Sequence, residues 1–413
     1  MNFLRPVLLG MVMIHAASAV GQQADGKDAA VKTTSNNTST RNDTSPKNLP
    51  SEDLSSQLEK WQSGVVKQEF LYDKAPFPSC HSATLAETPF GLVASFFGGT
   101  KERNPDVEIY ISRFMDGKWL APVSAANGIQ PDGKRLPTWN PVLYQIPGGE
   151  LLLFYKIGPK PSEWWGMMKS SKDGGRTWSE AKRLPDGYIG PVKNKPVLLS
   201  NGNLFAPSSK EGNGWKIHFE VTKDNGKTWR TVGPLAENGI KAIQPSILQY
   251  GNGKLQLLAR TANRAIVESW STDNGESWSP LTKTSLPNNN SGTDAVTTKS
   301  GLQVLVYNHV LPPGDLAKGP RTPLNVSVSK DGKSWSAALI LEDSPISQYS
   351  YPAVIETADG MLHFIYTWRR EKIKHVVVDP SKLKLKKIKD GVWPAMKGYT
   401  APVIKETKNE EPI

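Results

Sequence analysis

The amino-acid sequence predicts an all-β protein, a six-bladed β-propeller of four-stranded antiparallel blades. Three observations support this prediction: a short motif recurs along the chain, the segments between its copies have strand length, and helical periodicity is nearly absent. Recurrence at intervals of some tens of residues is typical of repeat architectures. The 413 residues are many for one ordinary core, but they suit a propeller, whose core is divided among blades.

The recurring motif combines Asp, Gly, a hydroxyl residue and Trp. In "SSKDGGRTW" these are Asp173, Gly175, Thr177 and Trp178. Related copies, one of them shortened and one degenerate, end at Trp119, Trp229, Trp278 and Trp335. The carboxylate can accept hydrogen bonds within a tight turn, the glycine adopts backbone angles that other residues resist, and the tryptophan packs between neighbouring sheets. We therefore interpret the motif as a structural hairpin element and expect no catalytic role for its aspartates.

Short apolar or alternating runs fill the intervals between the motif copies. Examples are "GLVASFFGG", "ELLLFYKI", "KIHFEVTK" and "LQVLVYNHV", each rich in β-branched or aromatic residues. The sequences "SNGN" and "GNGK" separate such runs and predict hairpin turns. About four short strands per interval, repeated about six times, agree with the number of strands in a six-bladed propeller.

Two N-terminal segments are predicted to lie outside the propeller. Residues 1–19 combine Arg5, the apolar run "PVLLGMVMI" and the ending "ASA", a pattern typical of a secretory signal peptide. That run is too short to be a stable membrane span. Residues 20–58 are almost wholly polar and predict a disordered linker. The propeller domain is expected over residues 59–413 of a protein that is secreted or periplasmic after signal-peptide cleavage.

Charge and cysteine content restrict the classes of partner. The net charge of +11 favours anionic partners, such as acidic glycans. Export and the lack of a recognisable DNA- or RNA-binding motif argue against nucleic acid. The single cysteine, Cys80, excludes an intrachain disulfide framework. The sequence shows no metal-ligand cluster, phosphate loop or serine triad at recognisable spacing, so we expect no cofactor and no metal. We also expect the protein to be a monomer.

The recurring motif is identified as the Asp-box, also called the bacterial neuraminidase (BNR) repeat, and residues 77–379 resemble sialidase-like exported bacterial proteins. The resemblance to the sialidase superfamily implies three arginines that bind a substrate carboxylate, a tyrosine nucleophile assisted by a glutamate, and a loop aspartate as acid/base. It implies an exo-acting glycoside hydrolase of the exo-α-sialidase type, which removes a terminal carboxylated sugar from glycans. Function nevertheless has to be argued from the site, because the same box occurs in proteins with other activities.

Four catalytic or binding positions match the family pattern. Arg260 in "LQLLARTAN" and Arg321 in "GPRTPLNVSVSKDGKSW" match two of the arginines, and a guanidinium group can bind a carboxylate through two hydrogen bonds. Tyr349 in "QYSYPAVIE" takes the position of the nucleophile, with Tyr351 as an adjacent candidate. Asp106 in "GGTKERNPDVEIYISR" is the best match for the acid/base. In the same segment Glu108 is an alternative, and a shifted alignment would place Asn104 at this position.

Two positions depart from the pattern. The stretch that should carry the first arginine reads "SCHSATL", with Cys80 and His81. Gln244 in "IQPSILQ" stands where the assisting glutamate is expected, and an amide cannot act as a general base. We retain Gln244 as a candidate substrate contact.

These departures keep two alternatives open. His81 could act as acid or base in a uronate-directed lyase or rhamnosidase, since an unperturbed imidazole titrates near pH 6.5. The substitution at Gln244 instead favours a catalytically inactive glycan-binding propeller.

Further polar residues are candidate substrate contacts because they lie where the innermost strand of a blade is expected. They are Asn140 in "PTWNPV", Lys193 and Lys195 in "GPVKNKPV", and Asp294 in "NSGTDAV". The two lysines alternate to one face of the predicted strand, where they could add positive charge opposite a carboxylated sugar.

Overall fold

The computed structural model describes residues 57–212, 214–346 and 348–403. The predicted signal peptide and nearly all of the predicted linker lie outside these residues. The described chain folds into six β-sheets, each built around four antiparallel strands, and two short 3-10 helices, Glu59–Trp61 and Pro380–Lys382. This confirms the predicted six-bladed β-propeller. No helix within the described residues is long and apolar enough to cross a membrane.

The strands are numbered in chain order. They are β1 (Val65–Phe70), β2 (Ser79–Thr88), β3 (Gly91–Gly99), β4 (Glu108–Met115), β5 (Lys118–Trp119), β6 (Val123–Ala126), β7 (Thr138–Gln145), β8 (Leu151–Ile157), β9 (Trp165–Ser171), β10 (Lys182–Arg183), β11 (Val197–Leu198), β12 (Leu204–Lys210), β13 (Lys216–Thr222), β14 (Arg230–Val232), β15 (Ala242–Gln249), β16 (Leu255–Thr261), β17 (Ala265–Ser271), β18 (Thr282–Pro287), β19 (Asp294–Thr297), β20 (Gln303–Tyr307), β21 (Leu324–Ser329), β22 (Ser336–Glu342), β23 (Tyr349–Glu356), β24 (Leu362–Trp368), β25 (Lys372–Val378) and β26 (Lys386–Lys387).

Each blade is a meander in which consecutive strands pair by hairpins. Blade 1 comprises β2–β6, blade 2 β7–β10, blade 3 β11–β14, blade 4 β15–β18, and blade 5 β19–β22 with β26 at its edge. Blade 6 comprises β23–β25, and its fourth strand is β1 from the other end of the domain. The pairing runs antiparallel from Val65 opposite Val378 to Phe70 opposite Lys374, and it closes the ring.

The tryptophans of the Asp-boxes pack between blades, as predicted. The ring of Trp278, from blade 4, stacks on Phe219 of blade 3 with centroids 4.6 Å apart. Trp229, from blade 3, contacts Phe154 of blade 2 edge-on at 6.1 Å. Large aromatic side chains contribute much apolar area to such contacts. These contacts therefore stabilise the seams between neighbouring sheets.

The Asp-box aspartates hold their own hairpins. The Asp173 carboxylate accepts hydrogen bonds from the Thr177 hydroxyl at 2.6 Å and the Thr177 backbone N–H at 2.8 Å. Asp224 and Asp273 accept the equivalent bonds in the next two copies. These bonds lower the pKa of Asp173 to about 2, because they favour the charged carboxylate.

We predict that Asp173→Ala lowers the free energy of unfolding by about 1 kcal/mol at pH 7 and leaves activity unchanged, since solvent screens this exposed site. The lowered pKa means that the contribution is complete above the unfolded pKa of 3.8 and is lost as the pH falls through about 2. Urea titrations of both proteins at pH 7 and below pH 2 would measure the difference. A deficit that persists in acid would contradict the carboxylate explanation.

Candidate functional site

Four innermost strands are interrupted by a β-bulge at the same level. At each bulge the ladder shifts register, and one residue other than glycine has a positive φ. These residues are Ser82 (59°), Asn140 (30°), Gln244 (57°) and Tyr351 (50°). Such backbone conformations are uncommon outside glycine and cluster at functional sites. We therefore place the candidate site at these bulges, where the innermost strands face the propeller axis.

Tyr351 lies at the centre of this site. Its hydroxyl oxygen accepts hydrogen bonds from Arg260 Nη1 at 2.9 Å and from Gln244 Nε2 at 3.4 Å. Three cations surround its ring, with Arg321 Cζ, Lys193 Nζ and Arg260 Cζ at 5.6, 5.7 and 5.8 Å from the ring centroid. The structure thus brings residues of blades 3 to 6 together around one phenol.

His81 completes the cluster from blade 1. Its ring centroid lies 4.1 Å from that of Tyr351, and its Nδ1 is hydrogen-bonded to Thr367 Oγ1 at 2.9 Å. The Nε2 atom is buried and has no hydrogen-bond partner among the described residues. Burial, followed by the nearby charges of Arg370 and Arg321, holds the pKa of His81 well below its usual range. His81 is therefore a neutral imidazole with one uncommitted nitrogen.

A third arginine enters the site from an unexpected place. Arg370 follows β24 in blade 6, and its backbone carbonyl accepts a hydrogen bond from the Cys80 N–H at 2.8 Å. Its guanidinium group lies beside Arg321, since both donate to Gln348 Oε1 at 3.1 Å, and it pairs with Glu102 at 2.6 Å. Arg370 thus reaches the stretch where the missing first arginine was expected. The sequence signal is the pair "RR" directly after a strand.

A carboxyl group that could replace the one missing at position 244 comes from a neighbouring blade. Glu211 directly follows β12 in blade 3, and its Oε1 accepts a hydrogen bond from Gln244 Nε2 at 3.3 Å. The same amide nitrogen donates to the Tyr351 hydroxyl. Burial raises the pKa of Glu211, opposed by the charge of Arg260. Glu211 is thus a carboxyl group, unassigned by sequence reasoning, that shares one amide with the central tyrosine.

Lys193 crosses the axis from blade 3. Its ammonium donates to Asn194 Oδ1 at 2.8 Å and to the backbone carbonyls of Thr293 at 2.9 Å and Pro352 at 2.6 Å. Burial lowers its pKa to about 7, although the charge of Asp294 acts in the opposite direction. Lys193 therefore joins blade 3 to the inner strands of blades 5 and 6, next to Tyr351.

Two predicted catalytic residues lie elsewhere. The Asp106 carboxylate accepts bonds from the Thr100 N–H at 2.8 Å and the Thr100 hydroxyl at 2.5 Å, so it caps its own exposed turn. Tyr349 belongs to the apolar cluster between blades 5 and 6, and its hydroxyl accepts a bond from Arg369 Nε at 3.2 Å. Neither side chain contacts the central cluster in the described structure, so the structure favours other residues for these roles and the assignments from sequence stay untested.

Three predicted substrate contacts, Lys195, Asp294 and Asn140, form hydrogen bonds within and between the inner strands. Lys195 Nζ pairs with Asp294 Oδ2 at 2.8 Å, and the same carboxylate accepts bonds from Ser246 Oγ and the Val354 N–H. This buried network joins blades 3 to 6, and it already occupies both charged groups. Asn140 lies at the β7 bulge, where its backbone carbonyl accepts a bond from a buried lysine.

The fold and this cationic axial cluster define a sialidase-like propeller. The sequence profile of the BNR repeat-like domain family matches residues 91–364, more than half of the chain, and the chain belongs to that family. No curated protein matches the chain in sequence.

Solved glycosidase structures share the fold. The NanB sialidase of Streptococcus pneumoniae superposes with a TM-score of 0.61 at 13% identity over 76% of this chain and 71% of that one. The intramolecular trans-sialidase of Ruminococcus gnavus gives 0.59 at 15% identity over 78% and 99%. The α-L-arabinanase of Penicillium chrysogenum gives 0.57 at 17% identity over 78% and 99%. At such identities the likeness establishes a glycosidase-type fold and no substrate.

Proposed function

We propose that this protein is an exo-acting glycosidase that removes a terminal carboxylated sugar from an acidic glycan. The observation that carries the proposal is the convergence of Arg260, Arg321 and Arg370 on the Tyr351–His81 cluster. Guanidinium groups recognise carboxylates through paired, charge-assisted hydrogen bonds. In this proposal the three groups bind the carboxylate of an anionic sugar and orient its ring toward the phenol.

In this proposal Tyr351 is the nucleophile. Its oxygen attacks the anomeric carbon as the glycosidic bond breaks. The phenolic proton moves to a base, and the departing glycan oxygen takes up a proton from water. The hydrogen bond from Arg260 stabilises negative charge as it develops on that oxygen. Glu211 lies beside the hydroxyl, because both accept a bond from the Gln244 amide. The amide cannot relay a proton, so in this proposal Glu211 takes the phenolic proton through one water. Water then hydrolyses the glycosyl–tyrosine bond and releases the sugar.

Export belongs to the same proposal. The charged start, apolar run and small-residue ending of residues 1–19 support cleavage of a signal peptide and release to the periplasm or the medium. The net charge of +11 supports attraction to acidic glycans there.

The test is a screen of the intact protein against sialylated, uronate-bearing and sulfated glycans, with products identified by mass spectrometry. For a substrate found in this way, Arg321→Ala should weaken both binding and turnover by roughly 30-fold or more, since it removes one partner of a buried charge pair. Arg230→Ala is the control, because Arg230 forms an exposed surface pair with Glu276. Unchanged kinetics in Arg321→Ala would refute the proposed carboxylate clamp.

A second candidate is elimination at a uronate, favoured by the uncommitted Nε2 of His81 beside Tyr351. A neutral imidazole can remove the proton α to the carboxylate, and the arginines can stabilise the charge that then develops. The oxygen on the adjacent carbon, β to the carboxylate, then leaves with a proton from Tyr351. A carbon–carbon double bond remains in the uronate.

We predict that His81→Ala abolishes activity if the reaction is an elimination, whose product absorbs ultraviolet light. Under hydrolysis the same change should lower kcat only by about tenfold, through loosened packing of Tyr351. Absorbance and product mass separate the two cases, since the dehydrated sugar is lighter by one water. Retention of full activity in His81→Ala would exclude the elimination.

A further inference from the structure

A charged residue lies in the middle of an apolar strand of blade 2. Lys156, in "LLLFYKI" of β8, is completely buried. Its ammonium donates to the backbone carbonyls of Asn140 and Val192, each at 3.3 Å, and to that of Pro191. A buried amine needs such acceptors, because its desolvation is costly. Lys156 therefore joins the bulge of β7 to the segment that enters blade 3.

A buried carboxylate holds the same segment from the other side. Glu220, in β13, is also completely buried. It accepts hydrogen bonds from the Ile189 N–H at 3.1 Å and the Gly190 N–H at 2.6 Å. It also contacts His218 Nε2 at 3.0 Å and accepts a bond from the Ser208 hydroxyl at 3.4 Å. The Glu220 carboxyl group thus fixes the N–H groups of residues 189 and 190, and the Lys156 amine fixes the carbonyls of residues 191 and 192.

This fixed segment leads directly to Lys193, which contacts the Tyr351–Pro352 peptide region. The Lys193 ammonium donates to the Pro352 carbonyl at 2.6 Å and lies 5.7 Å from the Tyr351 ring centroid. The neighbouring Asn194 donates from its side chain to the Gln244 carbonyl at 3.0 Å. A continuous set of contacts therefore runs from the two buried charges to the bulges that present Gln244 and Tyr351.

We propose that Lys156 and Glu220 are positioning residues, which set the orientation of Tyr351 by fixing residues 189–192 and, through them, Lys193. The effect of that orientation on catalysis rests on the proposed role of Tyr351. The contacts that connect Lys156 and Glu220 to Tyr351 do not depend on that role. Neither residue touches the phenol. Both act through the backbone of blade 3.

Hydrogen exchange of the full chain tests the link without a substrate. In Lys156→Met and in Glu220→Gln, backbone amides of residues 189–194 and of residues 349–353 should exchange roughly tenfold faster or more, because charged hydrogen bonds to the segment are lost. The matched control is Glu268→Gln. Glu268 is a buried carboxylate of blade 4 that bonds Gln256 and Trp270 away from the axis.

The expected pattern is faster exchange in both segments for the two variants and in neither for the control. Faster exchange at 189–194 with residues 349–353 unchanged would overturn the proposal, and so would equal changes in Glu268→Gln. If Lys156→Met does not fold, the milder Glu220→Gln decides alone.

Once a substrate is known, kcat should fall about tenfold in Glu220→Gln with KM nearly unchanged, since the arginines remain. An altered KM with normal kcat would contradict the proposal that these residues position the phenol. The hydrogen-exchange result does not depend on the glycosidase proposal, because it requires no substrate.

Discussion

Tyr351→Phe is expected to lower kcat by about three orders of magnitude while the protein remains folded. The variant loses only a hydroxyl group, and with it the proposed nucleophile or proton donor. The Phe ring keeps its packing against His81 and its surrounding cations. Rates measured on a substrate from the glycan screen, with circular dichroism to verify the fold, would establish the effect.

Tyr349→Phe is the matched control for this experiment. It also removes one phenolic hydroxyl from β23, but that hydroxyl contacts Arg369 between blades 5 and 6. We expect nearly normal kcat and a small loss of stability. The reverse outcome, with Tyr349 essential and Tyr351 dispensable, would restore the assignment made from sequence.

Glu211→Gln is expected to lower kcat by about 10²- to 10⁴-fold, because an amide cannot exchange a proton with Tyr351. The variant also tests a pH effect. Burial raises the pKa of Glu211, so a base at this position becomes protonated and inactive as the pH falls through that raised value. The acidic limb of the kcat profile should therefore lie above the range of an ordinary glutamate and should disappear in Glu211→Gln.

Glu108→Gln is the appropriate comparison, since Glu108 pairs with Arg135 and accepts a bond from Ser124 in blade 1. It should leave the acidic limb in place. Full activity in Glu211→Gln, together with a loss in Asp106→Asn, would return the acid/base role to the loop that the sequence indicated.

The fold could be predicted because its determinants are local. Each Asp-box hairpin is held by bonds between residues four positions apart, as between Asp173 and Thr177, and its tryptophan has a fixed place beside that turn. Arg260 was identified because the end of its strand, "LQLLAR", resembles the family pattern, and Arg321 because it opens the strand that leads into the next Asp-box. Patterns along one blade were sufficient for the fold and for these two residues.

The choice of Tyr351 over Tyr349, and the places of Arg370 and Glu211, could not be read in this way. The bulge in β23 disturbs the alternation of side chains, and it brings Tyr351 to the axis while Tyr349 packs between blades. Arg370 and Glu211 reach the site from segments beyond the ends of β24 and β12, on blades other than those with the vacant family positions. Contacts between blades form only when the ring closes. A sequence pattern within one repeat gives no information about them.

Pairing of β1 with β25 has a consequence for when the axial cluster can form during synthesis. Blade 6 supplies Tyr351 and Arg370, blade 1 supplies His81 and Glu102, and the strand that completes blade 6 precedes blade 1 in the chain. A ribosome releases the early blades long before the partner of β1 exists. The axial cluster is therefore completed late, after the last blade has been made and β1 has paired with β25.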